Sequence, residues 1–403
     1  MGDILFLGHR VPYPPDRGDK IRGFHILKFL AARKRVHLIA FADDARDLQP
    51  ADGLAEVTDT PAIIWRAKSR AKAAVQALLS RKPVSLTAFD DVSLREAVEH
   101  TLASNAIDTI YVFSSQMAQY LPANPRQRII MDFVDMDSAK FADYAKQSRG
   151  PMAWMMGREA RLLQRYESAV AGSANASLFV SEAEARLFRD KTGADRVHAV
   201  ENGIDTDFFD PAAAFAPIDS AGPLIVFTGQ MDYRPNIEAV TWFAETILPQ
   251  VQQRHPNARF AIVGRAPSEA VQALGKRTGV IVTGEVADVR GWLAAASVVV
   301  APLKLARGVQ NKVLEAMAMA RPVVASVPAA EGIDHADTIR VGGTGDDIAA
   351  QVVAILDDLD GAAQMGRDAR AQVRARYSWE ARLAPLAAIM GLAVAAPQRC
   401  AVA

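Results

Sequence analysis

Short apolar runs alternate with amphipathic helical segments along nearly the whole chain, and this alternation limits the fold more than any other feature. In the first half, apolar runs of strand length are separated by helical patterns over Ile21–Ala32, Ala67–Ser80 and Ser93–Ala103. The alternation predicts βα units on a parallel sheet covered by helices on both faces. The predicted strands are Ile4–Leu7, Val36–Phe41, Ala62–Trp65, Thr109–Phe113, Arg128–Phe133 and Ser177–Val180.

The same pattern starts again after Phe209–Pro223, a stretch rich in proline and small residues. Predicted strands there are Leu224–Phe227, Arg259–Val263, Val280–Val282, Ser297–Ala301, Pro322–Ala325 and Thr338–Val341, and predicted helices are Asn236–Val251, Val289–Ala295, Lys312–Met319, Ile348–Leu359 and Ala362–Tyr377.

A chain of 403 residues exceeds one ordinary core. We therefore predict an α/β protein with two doubly wound, Rossmann-like domains facing a central cleft. Residues 1–205 form the first domain, 206–375 the second, and 376–403 a C-terminal helix and tail that pack back on the first. Ligands of such sheets bind beyond the carboxyl ends of the strands, so functional residues are expected in the loops that follow strands.

Composition excludes several classes of protein. The 46 basic and 46 acidic residues balance, which argues against a nucleic-acid-binding protein. The single cysteine, Cys400, can form neither an internal disulfide nor a metal cluster. The beginning MGDILFLG predicts a first strand rather than a signal peptide, and no apolar run has the roughly 20 residues of a membrane span. We therefore expect a cytoplasmic protein.

The stretch Ala301–Ser326 predicts a phosphate site. It consists of a strand end, a glycine-containing loop, a short helix and a second strand. Asn311 is expected to cap the helix, and Lys312 and Glu315 lie on one side of it. A helix N-terminus with a lysine in its first turn attracts a phosphate group.

The loops after the first strand of each predicted domain are further candidates. Gly8-His9-Arg10 and the following Gly18 precede a helix, and Arg17, Lys20 and Arg22 either face a phosphate or anionic acceptor or are simply solvated.

In the second domain, Gly229 ends the first strand and Pro235-Asn236 opens the next helix. Arg234 either reaches a diphosphate or pairs with Asp232. Gly264-Arg265 and Gly284-Glu285-Val286 end the next two strands.

Asp135-Met136-Asp137 has the form of a D-x-D metal motif, in which two carboxylates hold a divalent ion. The alternative, which we favour, is that these acids begin a helix and stabilise its dipole. Asp135 then remains a candidate for contacting a sugar.

The segment Pro61–Phe89 contains six basic residues and no acidic one, with Trp65, Val75, Leu78 and Leu79 at near-helical spacing. It either docks on anionic lipid or packs on the sheet with a solvated basic face. For Trp154 and its neighbours Met155 and Met156 we expect a place in the core.

Together, HRVPYPPDRGDKIR, DFVDMDS, FTGQMDYRPN, YSWEARLAPL and the stretch Ala301–Ser326 resemble the family 4 (group 1) glycosyltransferases, which have the GT-B fold. Within that family the chain looks most like the sugar transferases of the PEP-CTERM/exosortase exopolysaccharide systems. The resemblance implies a hexosyltransferase that moves a sugar from a nucleotide-sugar co-substrate to a glycan or lipid-linked acceptor, retains the anomeric configuration and needs no metal or other cofactor. The protein would work in the cytoplasm or at the inner face of the membrane, contacting anionic lipid through Pro61–Phe89.

The resemblance also assigns roles to residues. Catalytic roles fall to Lys312, Glu315 and Asp135. Glu315 matches the second glutamate of the family's E-x7-E motif and is expected to bind the ribose, while Lys312 approaches the diphosphate. The implied donor-binding residues are Gly18, Gly229, Gln230, Arg234, Gly264, Arg265, Val286, Gly308, Val309, Gln310, Asn311, Lys312 and Glu315.

The chain departs from the family pattern at three positions. Arg307 stands where the motif has its first glutamate, the family's histidine after the DFVD strand is absent, and Ala320 replaces the usual glycine before RPVV. Since a left-handed alanine costs about 1–2 kcal/mol, the helix is expected to end without one. The rival functions are a GT-B sugar-nucleotide epimerase and a non-catalytic nucleotide-sugar-binding protein.

Overall fold

The computed structural model describes residues 2–49, 52–58, 61–218, 220–306 and 308–392. Two compact units are present in these residues. The first runs from the N-terminus to Asn202 and takes in the described residues from Arg382 onward, and the second is Gly203–Ala381. Cys400 lies outside the described residues.

The first unit contains a parallel sheet of seven strands in the order β3-β2-β1-β4-β5-β6-β7. Its strands are β1 (Asp3–Gly8), β2 (Val36–Ala42), β3 (Ala62–Trp65), β4 (Ile107–Phe113), β5 (Arg128–Val134), β6 (Ala176–Phe179) and β7 (Val197–Ala199). Its helices are α1 (Gly18–Ala31), α2 (Asp52–Ala55), α3 (Arg70–Ser80), α4 (Val84–Thr87), α5 (Val92–Ser104), α6 (Asp137–Gln147), α7 (Gly150–Ser173) and α8 (Glu182–Thr192). Two 3₁₀ turns, Ala45–Leu48 and Ser115–Tyr120, follow β2 and β4.

The second unit contains a parallel sheet of six strands in the order β10-β9-β8-β11-β12-β13. Its strands are β8 (Leu224–Thr228), β9 (Arg259–Val263), β10 (Val280–Gly284), β11 (Val298–Ala301), β12 (Val323–Ser326) and β13 (Arg340–Gly342). Its helices are α9 (Arg234–Trp242), α10 (Leu248–Arg254), α11 (Glu269–Leu274), α12 (Val289–Ala295), α13 (Asn311–Ala318), α14 (Val327–Ala330), α15 (Gly345–Asp357) and α16 (Leu359–Arg376). A π-helical segment, Phe243–Ile247, joins α9 to α10.

These two sheets confirm the predicted α/β class with doubly wound parallel sheets. Their inner strands are buried on both faces, as the near-continuous apolar runs predicted. In each sheet the strand order reverses beside the first strand, between β1 and β4 and between β8 and β11. These are the switch points where the crossover helices on either side diverge and leave a crevice at the carboxyl edge.

The last helix, α17 (Trp379–Met390), begins in the second unit and ends in the first. Leu383 and Leu386 are buried, and Arg382 pairs with Glu201 at 2.7 Å. Within the described residues, the structure contains no helix with the length and apolarity that a membrane crossing requires.

Two cations expected to face an anionic ligand are instead part of the interior of the first unit. Arg22 is 1% exposed, donates to both carboxylate oxygens of Asp132 and also donates to the carbonyl of Val200. Lys20 pairs with the buried Asp47 at 2.6 Å. The expectation for Lys20 and Arg22 was wrong because α1 turns both side chains inward, where a charge requires a partner.

The core expectation for the Trp154 region was also wrong. Trp154 is 61% exposed and Met155 38% exposed on the first turns of α7. An apolar side chain on a long helix can face either side, and hydrophobicity alone does not identify the buried one.

Helix α13 ends with a left-handed residue, contrary to expectation, since φ of Ala320 is 52°. The Ala320 N–H donates to Met317 and the Arg321 N–H donates to Ala316, which is the Schellman pattern. The two hydrogen bonds satisfy carbonyls that the helix end would otherwise leave free, and this offsets the cost of a left-handed alanine.

Replacing Ala320 with glycine should therefore stabilise the protein. The substitution removes the left-handed penalty but adds flexibility to the unfolded chain, so we expect the free energy of unfolding to rise by about 0.5–1 kcal/mol in denaturant titrations. The control is Ala318→Gly within α13, which should lower it by about 1 kcal/mol. A loss of stability in Ala320→Gly as large as in the control would contradict this account of the helix end.

Candidate functional site

A cavity of about 500 Å³ lies at the carboxyl edge of the second sheet, in the second unit. It is bounded by the ends of β8, β9 and β10 and by the beginning of α13. The lining residues are Thr228, Gly229, Gln230, Asn236, Val263, Gly264, Arg265, Glu285, Val286, Val289, Val309, Asn311, Lys312 and Glu315.

The N-terminus of α13 opens onto this cavity without a side-chain cap. Gln310 precedes the helix and makes no capping hydrogen bond, while Asn311 is its first residue. The expectation that Asn311 caps the helix was therefore wrong. The uncapped first turn points free N–H groups and the positive end of the helix dipole at a ligand, the arrangement that suits phosphate.

Lys312 is held across the end of β8. Its Nζ donates to Asn236 Oδ1 at 2.7 Å and lies 4.0 Å from the centre of the Phe227 ring. Burial lowers the pKa of Lys312 to about 8, and the charge of Glu315 acts in the opposite direction. The amine is thus poorly solvated. An anion that binds beside it would raise its pKa and favour the protonated, charged form.

Glu315 lies one turn further along α13, on the same side as Lys312. Among the described residues, none donates a hydrogen bond to its carboxyl group. Burial raises the pKa of Glu315 to about 7, and the charge of Lys312 limits the rise. A desolvated carboxylate without a donor can accept from ligand hydroxyl groups.

Two glycines let the chain come close together at the base of the cavity. A Cβ on Gly264 would lie 1.7 Å from the carbonyl oxygen of Gly229. A Cβ on Gly229 would lie 3.1 Å from Lys312 Nζ and 2.8 Å from Asn236 Nδ2. Any side chain at either position would push the lysine or the β8 and β9 loops apart.

Asn236 is one of two polar site residues that sequence reasoning missed. It is 6% exposed, accepts from Lys312 and donates to the Gln230 carbonyl at 2.8 Å. It therefore fixes both the lysine and the loop after β8. The sequence signal was Pro235-Asn236 at a helix start, which indicated the helix but not the lysine contact.

Thr228 is the second missed residue. Its side chain is 4% exposed, and its Oγ1 has no hydrogen-bond partner among the described residues. A buried hydroxyl without a partner is costly, so a polar group of a ligand or a water is expected there.

The other side of the cavity carries the remaining polar groups. Arg265 donates to the Gln230 side chain at 3.2 Å, and Glu285, Val286 and Val289 follow β10. This side combines an apolar wall with a few directional groups, which is typical of a site for a planar ring.

The structure brings together most but not all of the predicted donor residues. Arg234 is 88% exposed and pairs with Glu238 at 2.7 Å, rather than with Asp232 or toward the cavity. Glu238 lies four residues further along α9, a spacing that indicates an ion pair in the sequence itself. Gly308 and Gln310 precede α13 but do not line the cavity. Arg307 lies outside the described residues.

Two predicted site residues belong to the first unit. Gly18 is the first residue of α1, and a Cβ there would meet nothing within 4 Å. Asp135 follows β5 and pairs with Lys140 at 2.7 Å. Neither Asp135 nor Asp137 accepts a capping hydrogen bond from the first turn of α6. Among the described residues, no group of three possible ligands that could hold a metal ion is present.

The second unit is similar in sequence to known proteins. Residues 222–358 match the family model described as glycosyl transferases group 1. Alpha-maltose-1-phosphate synthase of Mycolicibacterium smegmatis (strain ATCC 700084 / mc(2)155) is 30% identical over 217 residues, which is 46% of this chain and 54% of that protein. The chain thus spans about half the length of this curated relative.

Solved structures are similar in fold to nearly the full length of the chain. Anabaena Alr3699/HepE in complex with UDP-glucose aligns over 97% of this chain and 100% of its own, with a TM-score of 0.58 and 16% identity. WaaG, a glycosyltransferase involved in lipopolysaccharide biosynthesis, aligns over 96% and 100%, with a TM-score of 0.59 and 15% identity. With the two parallel sheets, these similarities show that the chain has the GT-B fold.

The lowered pKa of Lys312 predicts proton uptake on ligand binding. A diphosphate favours the charged amine, so its binding at pH 8.5 should take up a fraction of a proton, and its affinity should fall as pH rises through about 8. Calorimetry in two buffers of different ionisation enthalpy measures this. The matched control is Lys312→Arg, whose guanidinium does not titrate. Equal proton uptake in that variant would assign the effect to another group.

Proposed function

We propose that this protein is a glycosyltransferase that uses a nucleoside diphosphate sugar as donor. The observation that carries the proposal is the joint placement of the α13 N-terminus, Lys312 and Glu315 on one cavity at the carboxyl edge of a parallel sheet. The match of residues 222–358 to the group 1 glycosyl transferases supports it. So does the similarity in fold to a protein that was solved with UDP-glucose.

The proposed division of roles follows from charge. The helix N-terminus and Lys312 face the diphosphate, and Glu315 accepts hydrogen bonds from the ribose. As the sugar departs, negative charge develops on the diphosphate, and fixed positive groups stabilise it without reorganising. Gly229 and Gly264 allow the phosphates to approach the backbone closely. The base and the sugar would use the wall formed by Arg265, Val286 and Val289.

The finer features rest on the family resemblance. We propose a retaining hexosyltransferase without a bound metal, in which Asp135, Gly18 and the 308–310 loop take part in the reaction. The acceptor would be a lipid-linked glycan in exopolysaccharide or cell-surface polysaccharide synthesis, held by the first of two domains (residues 1–205 and 206–375). We keep the proposal that the C-terminal segment 376–403 packs on that first domain only for its described part, since residues 393–403 lie outside the described residues. Cytoplasmic placement is part of the same proposal.

A donor screen tests the proposal. Among UDP-, GDP-, ADP- and dTDP-sugars, the right donor at 100 times its Kd adds about 2.7 kcal/mol to the stability of the folded state and should raise Tm by several degrees. Radiolabelled sugar from that donor should then appear in lipid-linked glycan when membrane extract is added. Binding without transfer would favour a non-catalytic protein. Epimer formation from the donor alone would identify an epimerase.

We also propose that the first unit touches an anionic membrane through α3 and its surroundings. Val75, Leu78 and Leu79 are 59%, 57% and 83% exposed, while Ala73 and Ala77 form the buried face of the helix. The exposed cations Lys72, Arg81 and Lys82 lie around the apolar residues. A helix with this pairing of apolar and basic side chains lies in a lipid interface.

Contacts with α7 fix α3 and α4 in place. Arg158 donates to the Ala77 carbonyl, and the Glu159 carboxylate accepts from the backbone of Val84 and Ser85. Trp154 and Met155 are exposed one turn before Arg158 and add two apolar side chains to the surface of the first unit.

Vesicle sedimentation tests the membrane contact. The protein should bind vesicles of phosphatidylcholine with 30% phosphatidylglycerol more strongly than pure phosphatidylcholine vesicles, and 0.5 M salt should weaken this binding. Leu78→Ser with Leu79→Ser should reduce it at least tenfold. The control is Leu359→Ser, which alters an exposed leucine of the second unit. Equal loss in the control would contradict the assigned surface.

A further inference from the structure

The first unit has its own polar site at the carboxyl edge of its sheet. Gly8 of β1 and Phe113 of β4 are register partners on either side of the switch point. His9 and Ser114 follow them directly, and Asp137 begins α6 just after the neighbouring strand β5. Side chains from three loops therefore meet at one edge.

Two of the seven non-glycine residues that have a positive φ in the described part of the chain lie at this edge. Ser114 has a φ of 79° and Val134, the last residue of β5, has a φ of 70°. A non-glycine residue in this region costs about 1–3 kcal/mol, and such residues collect where a site demands a particular geometry.

The cations at this edge are already committed to carboxylates. Arg10 pairs with Asp43 and Asp19, and Arg66 also pairs with Asp43. Lys140 donates to Asp135 at 2.7 Å. With each cation neutralised, the edge does not favour a phosphate, and neutral hydroxyl groups are its better match.

Asp137 is the under-satisfied carboxylate of this group. Its side chain is 23% exposed, and its contacts are long: 3.4 Å from Ser115 Oγ, 3.4 Å from Gln116 Nε2 and 3.7 Å from Lys140 Nζ. Burial raises the pKa of Asp137, and the charge of Asp135 adds to the rise, while Lys140 and His9 oppose it. A carboxylate of this kind gains most from a short hydrogen bond donated by a ligand.

His9 contributes an unsatisfied polar atom to the same edge of the sheet. Its ring stacks on Phe113 with centroids 5.6 Å apart, and Nε2 lies 3.4 Å from Asp19 Oδ2. Nδ1 is buried and has no hydrogen-bond partner among the described residues. A buried nitrogen without a partner costs about 1–3 kcal/mol, which a ligand hydroxyl or a water entering beside the ring would recover.

We propose that Asp137 binds the acceptor of the transfer reaction by accepting a hydrogen bond from a hydroxyl of a neutral sugar. Ser115 and Gln116 flank the same carboxylate and complete the subsite, and His9 is a positioning residue at its edge. The inference rests on the proposed function, because it names the class of acceptor that the transfer reaction would use. It also assigns the contact with the acceptor sugar to Asp137 rather than to Asp135, because Asp135 already accepts a hydrogen bond from Lys140.

The test compares variants of the full-length protein with the donor found in the screen. The acceptor probes are octyl β-glucoside, octyl β-galactoside and octyl α-mannoside, and water is the reference acceptor through donor hydrolysis. Asp137→Asn should raise KM for the best octyl glycoside at least tenfold, leave the Kd of the nucleoside diphosphate within twofold, and keep donor hydrolysis. Gln116→Ala should show a weaker form of the same effect if Asp137→Asn folds poorly.

Variants of two other carboxylates serve as controls for the effect of Asp137→Asn on KM. Asp143→Asn, on the same helix, changes a carboxylate that is 64% exposed and should leave KM unchanged. Asp135→Asn should also raise KM, but the increase should be at least fivefold smaller than the increase caused by Asp137→Asn.

Several outcomes would overturn the inference. They are an unchanged KM in both Asp137→Asn and Gln116→Ala, an equal effect in Asp135→Asn, or a wild type that binds and hydrolyses the donor but uses none of the glycosides. A wild type that binds no nucleotide would instead overturn the proposed function.

Discussion

The hydrogen bond from Lys312 to Asn236 crosses the end of β8, and the geometry of the second-unit site depends on it. It ties the first turn of α13 to the first turn of α9. Asn236 also donates a hydrogen bond to the Gln230 carbonyl, so the same side chain fixes the loop after Gly229. The close approach is possible because Gly229 has no side chain. A helix N-terminus, a cation and exposed backbone thereby face one cavity.

The site is organised for a charge that arrives with the ligand. Burial lowers the pKa of Lys312 and raises that of Glu315, so desolvation works against the charged form of both groups. Such an arrangement lowers the stability of the folded protein. The lost stability is recovered when a ligand supplies the missing partners. At the edge of the first sheet the charges are already paired, and Asp137 differs only in that its contacts are long, at 3.4–3.7 Å. The contrast between the two edges is the physical basis for assigning a diphosphate to one and neutral hydroxyls to the other.

Much of this could be predicted from the sequence. The strands were visible because buried parallel strands are nearly continuous apolar runs, and Gly229, Gly264 and Lys312 stood out at strand and helix ends. What failed depended on tertiary context. Ala320 is left-handed because the end of α13 makes two Schellman hydrogen bonds, and Trp154 faces solvent although its helix is long. The Asn236 contact joins residues 76 positions apart, and no local pattern contains it.

In the proposed function Lys312 binds the diphosphate of the donor, and we expect its amine to contact the second phosphate. The most direct test is calorimetric affinity for the nucleoside diphosphate and monophosphate of the preferred base, in the wild type and in Lys312→Ala. A charge-assisted hydrogen bond is worth about 1.5–3 kcal/mol, so the variant should lose roughly 10–100-fold in diphosphate affinity and little in monophosphate affinity. Glu315→Gln should weaken both nucleotides alike. An unchanged diphosphate affinity in Lys312→Ala would contradict the claim.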